Sequence, residues 1–426
     1  MLRCTCKPLV PAVTVALAAA AALTVSASAS ASSKTVSFTW WTSSNKPSEI
    51  TQIDNGFAKA YPGYKAVGQY IAQSDNYLPK VISAIKSGTQ PTVLFDQSPS
   101  DLPELAESGK LITLNGKVTA GTNALYPGIK RALFYRGKQL GVALGGVGDI
   151  ALFYNKADFA QAGISRPPAT WTELAEDAAK LTNPTAHRYG FYVPMGEAEW
   201  ISYDWEPVLY GDGGALLNGA QTKATFNSAA GVNALNTWVS LIKSGSAPTS
   251  SYAAGGNYDG PTAFSSNAVA MITDGVWLES ELPKGFSYAV APYPAGSAGQ
   301  SSSIGIGVAA LLKTSTDADQ AGIKFLNFLT TAKEGAYLTA ESGGLPSAPN
   351  QLKQSTVKKI ASSVPYYKVF AADERYGKVR PITPAYNAVS EDLWTAINQA
   401  LTGKEGAQSA LNDAANQADK ALSSNS

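Results

Sequence analysis

The stretch Leu152-Phe153-Tyr154-Asn155-Lys156-Ala157-Asp158-Phe159, continued by Ala162-Gly163 and then Pro167-Pro168-Ala169-Thr170-Trp171-Thr172-Glu173-Leu174, decides the fold. Apolar side chains alternate through Ile150, Leu152 and Tyr154, the period-two pattern of a strand. Pro167-Pro168 ends the element behind it. Thr170, with Glu173 three residues on, spells a capping box that starts a new helix. This punctuation reads as α/β.

Upstream, Val36, Phe38 and Trp40 alternate as a first strand, and Ile50, Ile53, Phe57 and Tyr61 keep one face of a helix that Pro62-Gly63 stops. Leu78, Val81, Ile82 and Ile85 mark a second helix, which Ser87-Gly88-Thr89-Gln90-Pro91 turns into a strand over Thr92–Phe95. The βαβ rhythm predicts a mostly parallel sheet. Gly109 suits a helix C-terminal cap. Downstream come a predicted strand Tyr189–Val193, a Trp-rich stretch before Asp212-Gly213-Gly214, then Ala270-Met271-Ile272-Thr273-Asp274-Gly275-Val276-Trp277 and a return strand Ile304–Leu311. Near the end stand Gly343-Gly344-Leu345-Pro346, Arg380-Pro381-Ile382-Thr383-Pro384-Ala385-Tyr386, and a helix bearing Val389, Leu393, Ile397 and Leu401.

The first residues, with Arg3 and Lys7 ahead of an apolar Val10–Val25 and Ala-x-Ala sites after Ser26, read as a secretory signal peptide over residues 1–31. Both cysteines, Cys4 and Cys6, fall within it, so the exported chain is expected to lack thiols and disulfides. Losing two of the 33 basic residues leaves a chain near neutrality against 32 acidic ones, which gives nucleic acid no purchase. About 390 mature residues call for two domains.

Catalytic chemistry has little to stand on. The single histidine, His187, sits in a polar loop; there is no Gly-x-Ser-x-Gly elbow and no Gly-Lys-Ser/Thr phosphate loop, and no catalytic residue, cofactor or metal is expected. Gly305-Ile306-Gly307 mimics part of a dinucleotide fingerprint inside a strand-like run, the wrong context for one. A secreted glycoside hydrolase working with two carboxylates stays open as a remote alternative.

The motifs in this order resemble extracellular solute-binding protein family 1, the substrate-binding proteins of carbohydrate ABC importers, in its maltose- and trehalose-binding branch. They are the strand with Tyr154-Asn155-Lys156, Ala162-Gly163, Pro-Pro-x-Thr-Trp, Ser-Gly-Thr-x-Pro with Thr92 where the family has Asp, and Ala-Met-x-x-x-Gly-x-Trp. The likeness covers residues 36 to 421. It implies a periplasmic-binding-protein-like fold, two α/β lobes joined by crossing hinge strands with a ligand cleft between them. The implied lobes are 34–147 plus 303–345, and 148–302 plus 346–426, with crossings near Gly148, Ser302 and Leu345.

The resemblance further implies a monomer that captures a mono- to oligosaccharide and delivers it to a membrane permease. It places the protein at the extracellular face, although relatives use a lipidated cysteine and none follows the apolar stretch here. Flat aromatic walls with a few carboxylate, amide and Arg groups suit sugar rings. Carried over by motif, Trp277 is the stacking aromatic, and Asp96 and Gln97 are polar contacts behind the Thr92–Phe95 strand. Trp200 and Trp205 precede the Gly-Gly turn, and Trp41, Asn45 and Asp149 follow as further candidates. Arg380 and Tyr386 lie in Arg-Pro-x-x-Pro-x-Tyr, where Arg380 can bond adjacent hydroxyls or a phosphate. That last point keeps a glycerophosphodiester or polyol ligand as the alternative.

Overall fold

The structure, a computed structural model, describes residues 35–71, 77–196, 199–249, 259–364 and 366–424, without the side chains of Asp96 and Ser280. The expected signal peptide lies outside the described residues. The alternating residues Phe38 and Trp40 point inward from β1 (Val36–Thr42). Helix α1 (Pro47–Ala60) starts on a proline, whose missing N–H has no helical partner to lose, and the backbone N–H of Lys46 donates to Glu49 Oε2 at 3.1 Å. Ile50, Ile53 and Phe57 form its buried stripe.

After β2 (Tyr64–Tyr70), α2 (Tyr77–Ser87) and β3 (Val93–Gln97), the chain has laid β2 and β3 parallel on either side of β1. Their C-terminal ends open on one edge of the sheet. A turn at Pro99–Asp101 leads into α3 (Leu102–Glu107), which Gly109 ends in the left-handed region at φ 69°. Then follow α4 (Thr119–Ala124), α5 (Pro127–Ala132) and the small hairpin β4 (Phe134–Tyr135) with β5 (Lys138–Gln139).

The 14-residue strand β6 (Val142–Asn155) ties the molecule together. Its second half, 150–155, pairs antiparallel with β7 (Met271–Gly275) and β8 (Tyr288–Ala291), and its first half, 142–149, pairs antiparallel with β9 (Ser302–Leu311). The order β2-β1-β3-β9-β6-β7 is therefore a mixed sheet, not the mostly parallel one the βαβ rhythm predicts, because β6 and β9 are long return strands. Between Ala143 and Val147 the register slips: Gly146 takes φ 88°, and a side chain on Gly145 would strike the Gly335 carbonyl. Val147 exchanges backbone hydrogen bonds with Leu345 at 2.6 and 2.8 Å, and β10 (Gly377–Lys378) pairs with β9 at Ser302.

Asn155 explains the Tyr-Asn-Lys motif: its Oδ1 accepts from the N–H groups of Ala157 (2.9 Å) and Asp158 (3.3 Å), capping α6 (Lys156–Gln161). Thr170 caps α7 (Trp171–Leu181) by accepting from Glu173 N at 3.2 Å. The reciprocal bond of the expected capping box lands one residue earlier, with Ala169 N donating to Glu173 at 2.7 Å, while Arg166 holds the same carboxylate. Tyr189 bridges Val269, but no strand develops over 189–193, since the N–H groups of Gly190 and Phe191 both turn to the Ser246 carbonyl.

The helices α8 (Glu199–Gly211), α9 (Ala229–Lys243) and α10 (Gly260–Ser265) follow, with α11 (Thr316–Leu329) and α12 (Ala332–Ser342) after β9. The chain then adds α13 (Ser355–Ser363), α14 (Tyr367–Asp373), α15 (Tyr386–Leu401) and α16 (Ala407–Ser424). One core packs Phe38, Trp40 and Phe57 around Phe325, and another packs Trp205 and Trp238 with Leu393 and Leu411. A third runs along β6 and β9 through Val147, Phe153 and Val308. The result is a two-lobed α/β fold with continuous strands passing between the lobes.

Candidate functional site

Trp277 stands just past β7 in the segment Val276–Glu281, and two glycines make room for it. A side chain on Gly275 would collide with its indole, and one on Gly148 would come within 2.6 Å of its Cζ3. The Gly-x-Trp motif and the glycine in β6 thus serve one purpose, laying a half-buried indole flat on the crossing strand. Trp200 meets Trp277 edge to face at 6.1 Å, and Tyr203 lies 5.7 Å beyond Trp200.

Helix α8 carries Glu199, Tyr203, Glu206 and Tyr210 at i, i+4, i+7 and i+11, one face of a helix. Arg380, from the strap behind β10, lies over that face, 4.8 Å from the Tyr203 ring and 6.0 Å from that of Tyr386. Its Nη1 donates to Glu199 Oε1 at 2.7 Å. The Tyr386 hydroxyl donates to the same oxygen at 2.7 Å and reaches Glu206 at 3.3 Å, while the Ser390 hydroxyl donates to Glu199 Oε2.

Burial dominates the electrostatics. It pushes Glu206 up to about 8 against the pull of Arg380, and Asp101, on the turn behind β3, up to about 6 against the same attraction. Burial opposes the charge on Arg380, but Tyr386, Glu199, Tyr203 and Glu206 together hold its pKa well above the usual value. Asp101 and Arg380 therefore feel each other's charge. Asn387 Nδ2 donates to Glu104 on α3 at 2.9 Å, joining α3 to the start of α15.

On the opposite side, the C-terminal ends of β1–β3 supply Trp41, whose Nε1 donates to Gln69 at 2.8 Å, and Tyr70, 53% exposed at the end of β2. Gln97 ends β3 at 1% exposure, with neither its amide nitrogen nor its amide oxygen in a hydrogen bond. Open α/β sheets receive ligands at this end of their parallel strands. A shallow concavity of about 650 Å³ beside Gln90, Lys110 and Lys313 lies toward the other end of these strands.

The structure brings Trp277, Trp200, Arg380 and Tyr386 together and leaves other candidates elsewhere. Trp205 has no exposed surface and packs in the second core. Tyr386 is 2% exposed and acts on Glu199 from beneath. Asn45 spends its amide within its own turn, accepting from Thr42 Oγ1 at 2.8 Å and donating to Glu49 at 3.1 Å. Asp149 is fully buried, fastening β6 to β9 through the Ser302 hydroxyl and accepting from Ile150 N at 2.8 Å; burial raises it to about 8. The side chain of Asp96 lies outside the described residues. Sequence reasoning missed Glu199, Tyr203 and Glu206, because the helix that carries them buries nearly all its sides and offers no clean amphipathic period.

Residues 41–336 match the family model for bacterial extracellular solute-binding proteins. The chain belongs to that family. A binding protein of Brucella abortus is 27% identical over 277 residues, 64% of this chain, and the chain spans 65% of that relative's length. The sn-glycerol-3-phosphate-binding periplasmic protein UgpB of Brucella melitensis is 26% identical over 418 residues, covering 90% of this chain and 92% of the relative.

Among solved structures, a solute-binding protein of an ABC transporter from Thermotoga lettingae, bound to α-D-tagatose, is 25% identical with a TM-score of 0.77. The match covers 91% of this chain and 100% of that one. The GacH receptor of Streptomyces glaucescens, solved without ligand and with acarbose, is 25% identical with a TM-score of 0.80, covering 92% and 100%. These likenesses agree with the two-lobed α/β architecture described above.

Proposed function

We propose that this chain is the substrate-binding component of an ABC importer, closing two lobes on a neutral carbohydrate and presenting it to a membrane permease. The observation that carries the reading is the half-buried Trp277 indole, seated where Gly148 and Gly275 clear space for it and meeting Trp200 edge to face; in this reading the buried, unpaired amide of Gln97 at the end of β3 meets the ligand from the other lobe. Sugar C–H faces stack on such rings, and hydroxyls satisfy buried donors and acceptors that are costly to leave unmade. The tagatose and acarbose complexes of the related proteins support the same ligand class.

In this reading the ligand-contacting residues are Trp277, Trp200, Trp41, Tyr70 and Gln97, with Arg380, Glu199 and Tyr386 as a supporting polar network. Residues 34–147 with 303–345 form one lobe, and 148–302 with 346–426 the other. The protein works as a monomer, without catalysis, outside the cytoplasmic membrane after loss of its signal peptide. Among the described residues no helix is long and apolar enough to cross a membrane.

Thermal melting of the purified protein against glucose, maltose, trehalose, tagatose, xylo- and cello-oligosaccharides tests the proposal. A ligand at about one hundred times its Kd adds about 2.7 kcal/mol of stability, a shift of a few degrees. No shift with any sugar would defeat the reading. A second ligand class, glycerol phosphates, is favoured by the likeness to UgpB and belongs in the same panel.

A further inference from the structure

We infer that Glu199 sets the ligand class of the cleft by occupying Arg380, so that the site accepts ligands rich in hydroxyls and refuses phosphate esters. The inference rests on the carbohydrate reading and adds its selectivity determinant. Arg380, with a side chain 16% exposed, is the cation lying over Tyr203 beside the Trp200–Trp277 pair, and its Nη1 already donates to Glu199 Oε1 at 2.7 Å. Its plane is held over the Tyr203 ring at 4.8 Å, which opposes a swing toward a new partner.

Glu199 is fixed in turn. Tyr386 donates to Oε1 at 2.7 Å and Ser390 to Oε2, so donors reach both oxygens, while 38% of the side chain stays exposed. Glu206 lies beneath Tyr386, and Asp101 approaches Arg380 from the other lobe. A phosphate ester reaching the guanidinium would have to displace Glu199 or sit beside it, two anions sharing one cation, in surroundings that already hold further carboxyl groups. A sugar hydroxyl faces no such conflict, because it can donate to the exposed part of Glu199 while Arg380 stays paired.

The test is calorimetric titration of the full chain, and of Glu199→Gln and Glu199→Asp, with the sugar that wild type binds, with sn-glycerol 3-phosphate and with inorganic phosphate. Glu199→Asp keeps a carboxylate on α8 but draws it back from Arg380, and from Tyr386 and Ser390 with it, and so serves as a second variant if the glutamine variant folds poorly. Wild type is expected to bind sugar and not phosphate ester. Glu199→Gln should gain about tenfold to a hundredfold in affinity for sn-glycerol 3-phosphate, and Glu199→Asp a smaller gain. Adding Arg380→Gln to Glu199→Gln should abolish the gain.

If wild type binds a sugar and neither folded variant gains phosphate-ester binding, the inference falls and the carbohydrate reading stands. A gain that survives Arg380→Gln also overturns the inference. Wild type binding sn-glycerol 3-phosphate and no sugar would overturn both.

Discussion

The two sides of the cleft are finished differently. The wall built on α8 and α15 is hydrogen-bonded within itself: Arg380, Tyr386 and Ser390 all converge on Glu199, and Tyr203 supports Arg380. The edge at the ends of β1–β3 leaves Gln97 without partners among the described residues at 1% exposure and Tyr70 in solvent. One region is cross-linked by its own hydrogen bonds; the other holds a buried amide with no partner among the described residues beside an exposed tyrosine, and in the proposed reading these are the groups a ligand would meet. Affinity is gained most cheaply when the shaping surface is already ordered and the unmet polar groups are few.

If the aromatic wall is the platform, Trp277→Ala should do the greatest damage. The indole is held by its neighbours before ligand arrives, so little ordering entropy offsets its stacking, and truncation also opens a gap over Gly148. Affinity should fall about a hundredfold, near 3 kcal/mol, by titration calorimetry. A loss below threefold would remove the platform from the ordered side.

A second test concerns the strand joining the two sides. Asp149 is raised to about 8, first by burial, with Asp373 and Glu374 adding to it against the hydroxyl of Ser302 and the N–H of Ile150. The native carboxyl thus keeps its proton where the unfolded one has lost it. The native state binds more protons between about pH 4 and pH 8, and stability falls as pH rises through that window. Asp149→Asn should flatten this decline and leave the variant clearly more stable than wild type at pH 8, read as denaturant midpoints. Parallel pH profiles of the two proteins would exclude Asp149 as the source.

Much of the architecture is legible in the chain, because its signals are local. Asn155 and Thr170 sit where caps must be, Gly109 ends α3, and Val389, Leu393, Ile397 and Leu401 keep the buried face of α15. Trp277 was named only through the Gly-x-Trp motif of the family resemblance; the structure shows what that spacing does locally, since a side chain on Gly275 would strike the indole. The polar network was not legible. Glu199 and Arg380 are 181 residues apart, and the helix that presents Glu199 buries nearly all its sides, with Pro207 inside it, so no clean amphipathic period announced it. Trp205 misled because a tryptophan count does not tell a wall from a core. The mixed sheet was missed because strand direction depends on distant partners.

On the unfinished side, Gln97→Leu should separate binding from stability. The amide costs about 1 to 3 kcal/mol while its polar atoms are buried and unpaired, so a near-isosteric leucine should raise the melting temperature. The same change removes the donor and acceptor offered to ligand, and affinity should fall about tenfold. Unchanged affinity would mean that the amide faces away from the ligand.

The smallest effect belongs to the contact that spans the two sides. Asn387 on α15 donates to Glu104 on α3 at 2.9 Å, and if the lobes of the proposed reading close on ligand, this bond belongs to the closed state. A hydrogen bond to a partly exposed carboxylate contributes about 1 kcal/mol, shared between closing the empty protein and closing it on ligand. Asn387→Ala should then weaken binding about two- to fivefold through the closed-state population, leaving the ligand's own contacts intact. The same factor should appear for every ligand the protein takes, strong or weak, since the bond touches none of them. A loss that varies from sugar to sugar would instead make Asn387 part of the binding surface, and the contrast between a finished and an unfinished side would have to be redrawn around α15.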